Sequence, residues 1–80
     1  MRTRTVELLS REGCHLCDDA RRLVERVTAE ARLTFTETDV DTDPMLRAEY
    51  GDLVPVVRVD GKELGYWRID EGRLRKALSR

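Results

Sequence analysis

The chain has little cysteine, histidine, proline or aromatic residue and no long apolar run: two cysteines, one histidine and two prolines occur in 80 residues, with aromatics at 5%. Each scarcity excludes something. No segment approaches the roughly 20 apolar residues of a membrane-spanning helix, so no membrane association is expected. The opening Met1-Arg2-Thr3-Arg4-Thr5-Val6-Glu7 is basic, but no apolar stretch follows it, which argues against a secretory signal. Fifteen Lys plus Arg against sixteen Asp plus Glu leave a formal charge of -1, with both signs scattered. A basic face for nucleic acid is therefore not expected. A hydrophobic content of 40% in a chain this short supports one thin core, hence a single domain over residues 1–80.

What is present is a pair. Cys14-His15-Leu16-Cys17 holds both cysteines three positions apart, where a helix is expected to begin. In a helix such Cα atoms lie about 5 Å apart, inside the window of about 4.4–6.8 Å that a disulfide requires. The pair can open and close without moving the backbone. As a structural staple it would close a loop of only about four residues and remove little unfolded-state entropy. A redox dithiol is the better reading, and the cytoplasm, where lasting structural disulfides are rare, the expected compartment.

The rest of the chain supplies the scaffold. Thr5–Leu9 reads as a strand, with Val6 and Leu8 on one face and Leu9 turned inward, followed by the loop Ser10-Arg11-Glu12-Gly13. Leu16, Ala20, Leu23, Val24, Val27 and Ala31 form the apolar stripe of an amphipathic helix. Leu33–Asp39 alternates with period two and is Thr-rich, as suits a strand at a polar sheet edge. Strand, helix and strand make a right-handed βαβ unit with parallel strands. Asp43 as N-cap and Pro44 at N1 open a short helix that Gly51 stops, with Leu46 and Tyr50 inward. Val56–Val59, Asp60-Gly61 and Lys62–Tyr66 form a hairpin around a type I′ turn. Asp70 caps a last helix whose buried stripe is Leu74, Ala77 and Leu78, with Ile69 stapled onto Leu74.

Thiol chemistry runs through the thiolate, which unpaired N–H groups and the positive end of the macrodipole stabilise at a helix N-terminus. Cys14 sits there and reads as the nucleophile. Cys17, one turn in, reads as the shielded resolving thiol that attacks a mixed disulfide on Cys14. Arg11 would favour the anion if its side chain folded back over the loop. Asp18 and Asp19 read as helix-start residues facing solvent. His15 either tunes or relays a proton to Cys14, or is a plain exposed residue.

Zinc needs four Cys or His ligands, and this chain offers three, with His15 wedged between the cysteines. A c-type haem is excluded because Asp18, not His, follows the second cysteine. Pro55 reads either as an ordinary strand start or as a cis proline whose turn leaves the Val54 backbone free to pair with an extended substrate.

This order of elements, with C-x-x-C at the first helix and Val54-Pro55 some forty residues on, resembles the thioredoxin fold in its short glutaredoxin form. It is similar to small bacterial glutaredoxin-like proteins in which Gly-Cys-His-Leu-Cys replaces Cys-Pro-Tyr-Cys. The resemblance implies an α/β fold ordered β-α-β-α-β-β-α, a four-stranded mixed sheet flanked by three helices. It implies Cys14 as nucleophile, Cys17 as resolving cysteine, Pro55 as the cis proline, and Arg11 as an aid to thiolate and glutathione. The glutaredoxin Gly-Gly is Gly65-Tyr66 here, so Tyr66 and Trp67 either reshape the glutathione groove or pack over the hairpin end.

The expected activity is thiol-disulfide exchange on protein or glutathione mixed disulfides, with Arg11, His15, Val54, Pro55, Gly65 and Tyr66 around the substrate. No tightly bound cofactor or resident metal is expected, glutathione serves as a co-substrate, the electron donor is unidentified, and the protein is expected to be a monomer. The alternative is a non-catalytic module holding zinc or an iron–sulfur cluster between two chains.

Overall fold

The computed structural model describes residues 4–79. Its elements run β1 (Val6–Ser10), α1 (His15–Glu30), β2 (Thr36–Asp39), a 3-10 turn (Val40–Thr42), α2 (Pro44–Tyr50), β3 (Val56–Val59), β4 (Lys62–Tyr66) and α3 (Glu71–Leu78). The strands form one mixed sheet in the order β2-β1-β3-β4. β1 pairs parallel with β2 through Leu8↔Glu37 and antiparallel with β3 through Leu8↔Val57. The expected thioredoxin-like arrangement is what the chain adopts.

β1 is central because both its faces are apolar. Val6 and Leu8 join Ala20, Val24 and Val27 of α1 and Leu74 and Leu78 of α3 in one core. Leu9 enters a second core on the other side, with Val40, Tyr50 and Val56. A strand covered on both faces reads as a run of buried apolar residues rather than a strict alternation. β2 lies at the sheet edge, as its threonines suggest, and its residues Thr36 and Glu37 are exposed.

Several boundaries differ from the sequence reading. β2 begins at Thr36 rather than Leu33, because the exit from α1 uses the preceding residues: Arg32 turns left-handed at φ 59°, and the Leu33 N–H donates to the Thr28 carbonyl at 2.8 Å. Leu16 and Ala31, assigned to the buried stripe of α1, are exposed. Cys17 takes the buried place in the first turn.

Asp43 caps α2 as expected, accepting from the N–H groups of Met45 and Leu46. Gly51 closes that helix in a right-handed conformation, φ -54°, so a left-handed stop is not its role. A Cβ at Gly51 would stand 2.5 Å from the Arg47 carbonyl oxygen, so close approach is what requires glycine there. Asp60 and Gly61 at φ 54° and 81° make the expected type I′ turn. An irregularity in the β3–β4 ladder follows, Arg58 facing Glu63 while Val57 faces Gly65. It re-aims the end of β4.

Candidate active site

The sheet register brings three chain segments to one end. β1 leaves the sheet there and runs through Arg11, Glu12 and Gly13, the last at φ 79°, into Cys14. β3 enters beside that exit, because Leu9 pairs with Val56, and this puts Val54-Pro55 next to the β1 loop. β4 ends there too, since Val56 pairs with Tyr66. Residues more than fifty positions apart thus meet at the carboxyl end of β1.

Cys14 is itself the N-cap of α1: its backbone is extended at φ -96°, ψ 112°, and its Sγ accepts a hydrogen bond from the Cys17 N–H at 3.1 Å. Sulfur occupies the place where Ser or Asp oxygen usually caps. An anion there meets an unpaired N–H and the positive end of a sixteen-residue helix. The thiol is partly exposed, whereas Cys17 is fully buried, and both are reduced. Burial above all, then the hydrogen bond and negative charge shared with Cys14, push the Cys17 thiol up to about 12, against a backbone hydrogen bond from Arg11 and the charge of Arg21. The two sulfurs occupy unlike environments.

The neighbours of the pair are mostly engaged elsewhere. His15 is exposed at the first position of α1. Asp18 and Asp19 face solvent and bind Arg21 and Arg22 of the next turn. Arg21 also reaches across to Glu37 in a two-pronged pair at 2.7 and 2.6 Å, and Ser10 donates to the same carboxylate at 2.7 Å. This ties the first turns of α1 to β1 and β2.

The Arg11 side chain does not supply the charge the sequence reading wanted over Cys14. Its guanidinium forks onto Asp41, both contacts 2.9 Å, and reaches the Gly51 carbonyl at 3.2 Å. A carboxylate matches that planar fork and the 3-10 turn presents one, so the side chain braces the second core instead. Its backbone N–H, rather than its charge, acts on the dithiol.

The Val54–Pro55 bond is cis and Pro55 is buried. The carbonyls on either side, Leu53 and Pro55, accept from the Trp67 N–H at 3.2 and 2.9 Å. Among the described residues the Val54 N–H and C=O have no intramolecular partner. An extended chain could pair with them. No atom lies within 4 Å of a Cβ placed on Gly65, so the space above that residue is open. Tyr66 and Trp67 are exposed, 44% and 53%, so they do not cover the hairpin end as core packing.

The exposure of Leu16 and the backbone turn at Trp67 escaped the sequence reading. Leu16, assigned to the core, lines an open groove of about 450 Å³ with Tyr66, Trp67 and Arg68. Its place between two cysteines at a helix start was the available signal. Trp67 takes a left-handed backbone at φ 62°, for which the sequence offers no glycine or asparagine to give warning. Among the described residues no group of three or more His, Cys, Asp and Glu side chains is placed to hold a metal ion, and no helix is long and apolar enough to cross a membrane.

Comparison with known proteins matches residues 5–79 to the glutaredoxin-like domain (DUF836). An uncharacterised protein of Mycobacterium tuberculosis is 41% identical over 80 residues, spanning 94% of this chain and 82% of its own. The X-ray structure of a structural-genomics target protein from X. campestris is 39% identical, with TM-score 0.71 over 92% of this chain and 95% of that one. Glutaredoxin 1 from Francisella tularensis, solved with cacodylate, shares the fold at TM-score 0.64 and 21% identity, over 98% of this chain and all of that one (100%).

Proposed function

The chain belongs to the glutaredoxin-like domain family, and from that premise we infer that it is a thiol-disulfide oxidoreductase working through Cys14 and Cys17. The observation that carries this reading is the asymmetry of the pair, a partly exposed sulfur capping a helix beside a buried thiol held neutral.

The chemistry follows from that asymmetry. The Cys14 thiolate attacks one sulfur of a substrate disulfide in line with the S–S bond; that bond breaks, a Cys14–sulfur bond forms, and the departing thiolate takes a proton from water. Sulfur substituted in this way carries no charge, so the part of the Cys17 shift owed to Cys14 falls away while the larger part owed to burial remains. Cys17 then loses its proton to solvent and attacks the Cys14 sulfur; the bond from Cys14 to the substrate sulfur breaks, the Cys14–Cys17 disulfide forms, and the second substrate thiolate leaves and takes up a proton. The substrate gains two electrons and the pair loses two. An external thiol reductant, glutathione or a protein dithiol, returns them.

The buried, protonated Cys17 does not compete with Cys14 for the incoming disulfide. Val54, with its free N–H and C=O, would hold the substrate backbone, and Gly65 leaves room for it. The reading includes action as a cytoplasmic monomer without a resident cofactor.

Disulfide reduction driven by dithiothreitol tests it. Cys14→Ser is expected to abolish turnover, and Cys17→Ser to accumulate protein heavier by one substrate thiol in intact-mass spectra. Unchanged turnover in both variants overturns the mechanism. Inert protein carrying one iron–sulfur cluster or zinc per two chains would replace it with the binding-module reading.

A further inference from the structure

The groove beside the dithiol is more than leftover surface. Tyr66 and Trp67 are the two exposed aromatic side chains among the described residues, they are consecutive, and their rings meet edge to face at 5.1 Å between centroids. Aromatic rings left in water this way forgo the burial that usually retains them.

Trp67 is also held in place. The Trp67 backbone N–H is shared between the Leu53 and Pro55 carbonyls, and its indole N–H donates to the Asp52 carbonyl at 3.0 Å. Three contacts thus pin the ring to the loop that carries Val54. Across the groove stands Leu16, 37% exposed, two residues after Cys14. Arg68 completes the rim, exposed and without an ion-pair partner among the described residues.

We propose that Leu16, Tyr66, Trp67 and Arg68 form a recognition ledge for a protein substrate. Its occupant is an extended segment with a large apolar side chain next to its disulfide cysteine and an acidic residue just beyond. The proposal rests on the redox reading above and adds the substrate class.

Three observations select that occupant. The ledge is continuous, through Trp67, with the unpaired Val54 backbone, so a segment paired there continues onto the rings. Leu16 and the two aromatics line the floor, which suits an apolar side chain and wastes a polar one. Arg68, engaged in no ion pair among the described residues, supplies positive charge at the rim, with Asp19 of the adjoining groove held by Arg22, and this favours a carboxylate over an ammonium. The Trp67 ring, already held through its indole N–H, loses little freedom on binding, so contact converts efficiently into affinity.

The test uses the full chain and disulfide-linked peptides that differ only beside the cysteine, Phe or Ser, and at the following position, Glu or Lys. The kcat/KM for Phe over Ser is expected to be about tenfold or more, the range a single apolar contact supplies. Trp67→Asn, which tolerates the left-handed backbone, is expected to bring that ratio near one. Arg68→Glu is expected to invert the Glu-over-Lys preference.

As a readout independent of rate, Cys17→Ser trapped with the Phe peptide is expected to shift the emission of Trp67, the single tryptophan of the chain, to the blue. The Ser peptide is expected to shift it less. Equal kcat/KM on Phe and Ser peptides with no emission difference overturns the ledge while leaving the redox reading intact. Failure to reduce any of the peptides, or a small disulfide such as hydroxyethyl disulfide, overturns the redox reading itself.

Discussion

Cys17 shows how one side chain can be set by its surroundings rather than by its type. Its thiol is pushed up to about 12 by burial and by Cys14, well above its ordinary value of 9.0. A group whose folded value exceeds its unfolded one stabilises the fold fully below the unfolded value and loses that contribution as pH rises toward the folded one. Reduced protein is therefore expected to become easier to unfold between about pH 9 and 12, and Cys17→Ala to lack that part of the slope. Urea midpoints measured across that range, under reductant, decide it; parallel slopes in both proteins would remove the assignment. In the same window, alkylation followed by peptide mapping is expected to label Cys14 long before Cys17.

At the scale of elements, the join between α1 and the β1–β2 edge turns on Glu37. Arg21 above all, and Ser10, hold its carboxyl below the usual range, against partial burial. A depressed carboxyl contributes stability that is present above its unfolded value, near 4.5, and lost as pH falls through the folded one. Glu37→Gln is expected to cost about 1 kcal/mol at neutral pH, since Arg21 and Glu37 are both partly solvated, and to flatten the acid limb of stability. Urea unfolding at pH 7 and pH 3 checks both, with equal losses for wild type and variant on acidification counting against it.

The elements also show what patterning reaches. The I′ turn at Asp60-Gly61 and the caps Asp43 and Asp70 were legible because each depends on two or three neighbouring residues. The start of β2 and the exposure of Leu16 were not. Those depend on how the chain leaves α1 and on which side chains the packed elements cover, and no local pattern encodes either.

Over the whole molecule, two thin cores share one central strand. Leu8 is 0% exposed within the larger core, and Leu8→Ala is expected to cost about 2–5 kcal/mol, the usual range for a buried leucine. A loss below 1 kcal/mol in urea unfolding would mean that the core collapses to fill the space. Because β1 leads directly into Cys14, the same variant is expected to loosen the site as well as the fold.

The sequence by itself determined the helix-start dithiol, the order of elements and the parallel first unit, because periodicity, capping and a three-residue spacing are properties of short stretches of chain. It also held the turn at Val54-Pro55 and the glycine at 65. Tertiary structure alone decided that Arg11 would serve Asp41, that Cys17 would be buried enough to hold its proton beyond the ordinary thiol range, and that Leu16, Tyr66 and Trp67 would share a groove. Those outcomes depend on distances between residues far apart in the chain, and such distances exist only once the strands have taken their register.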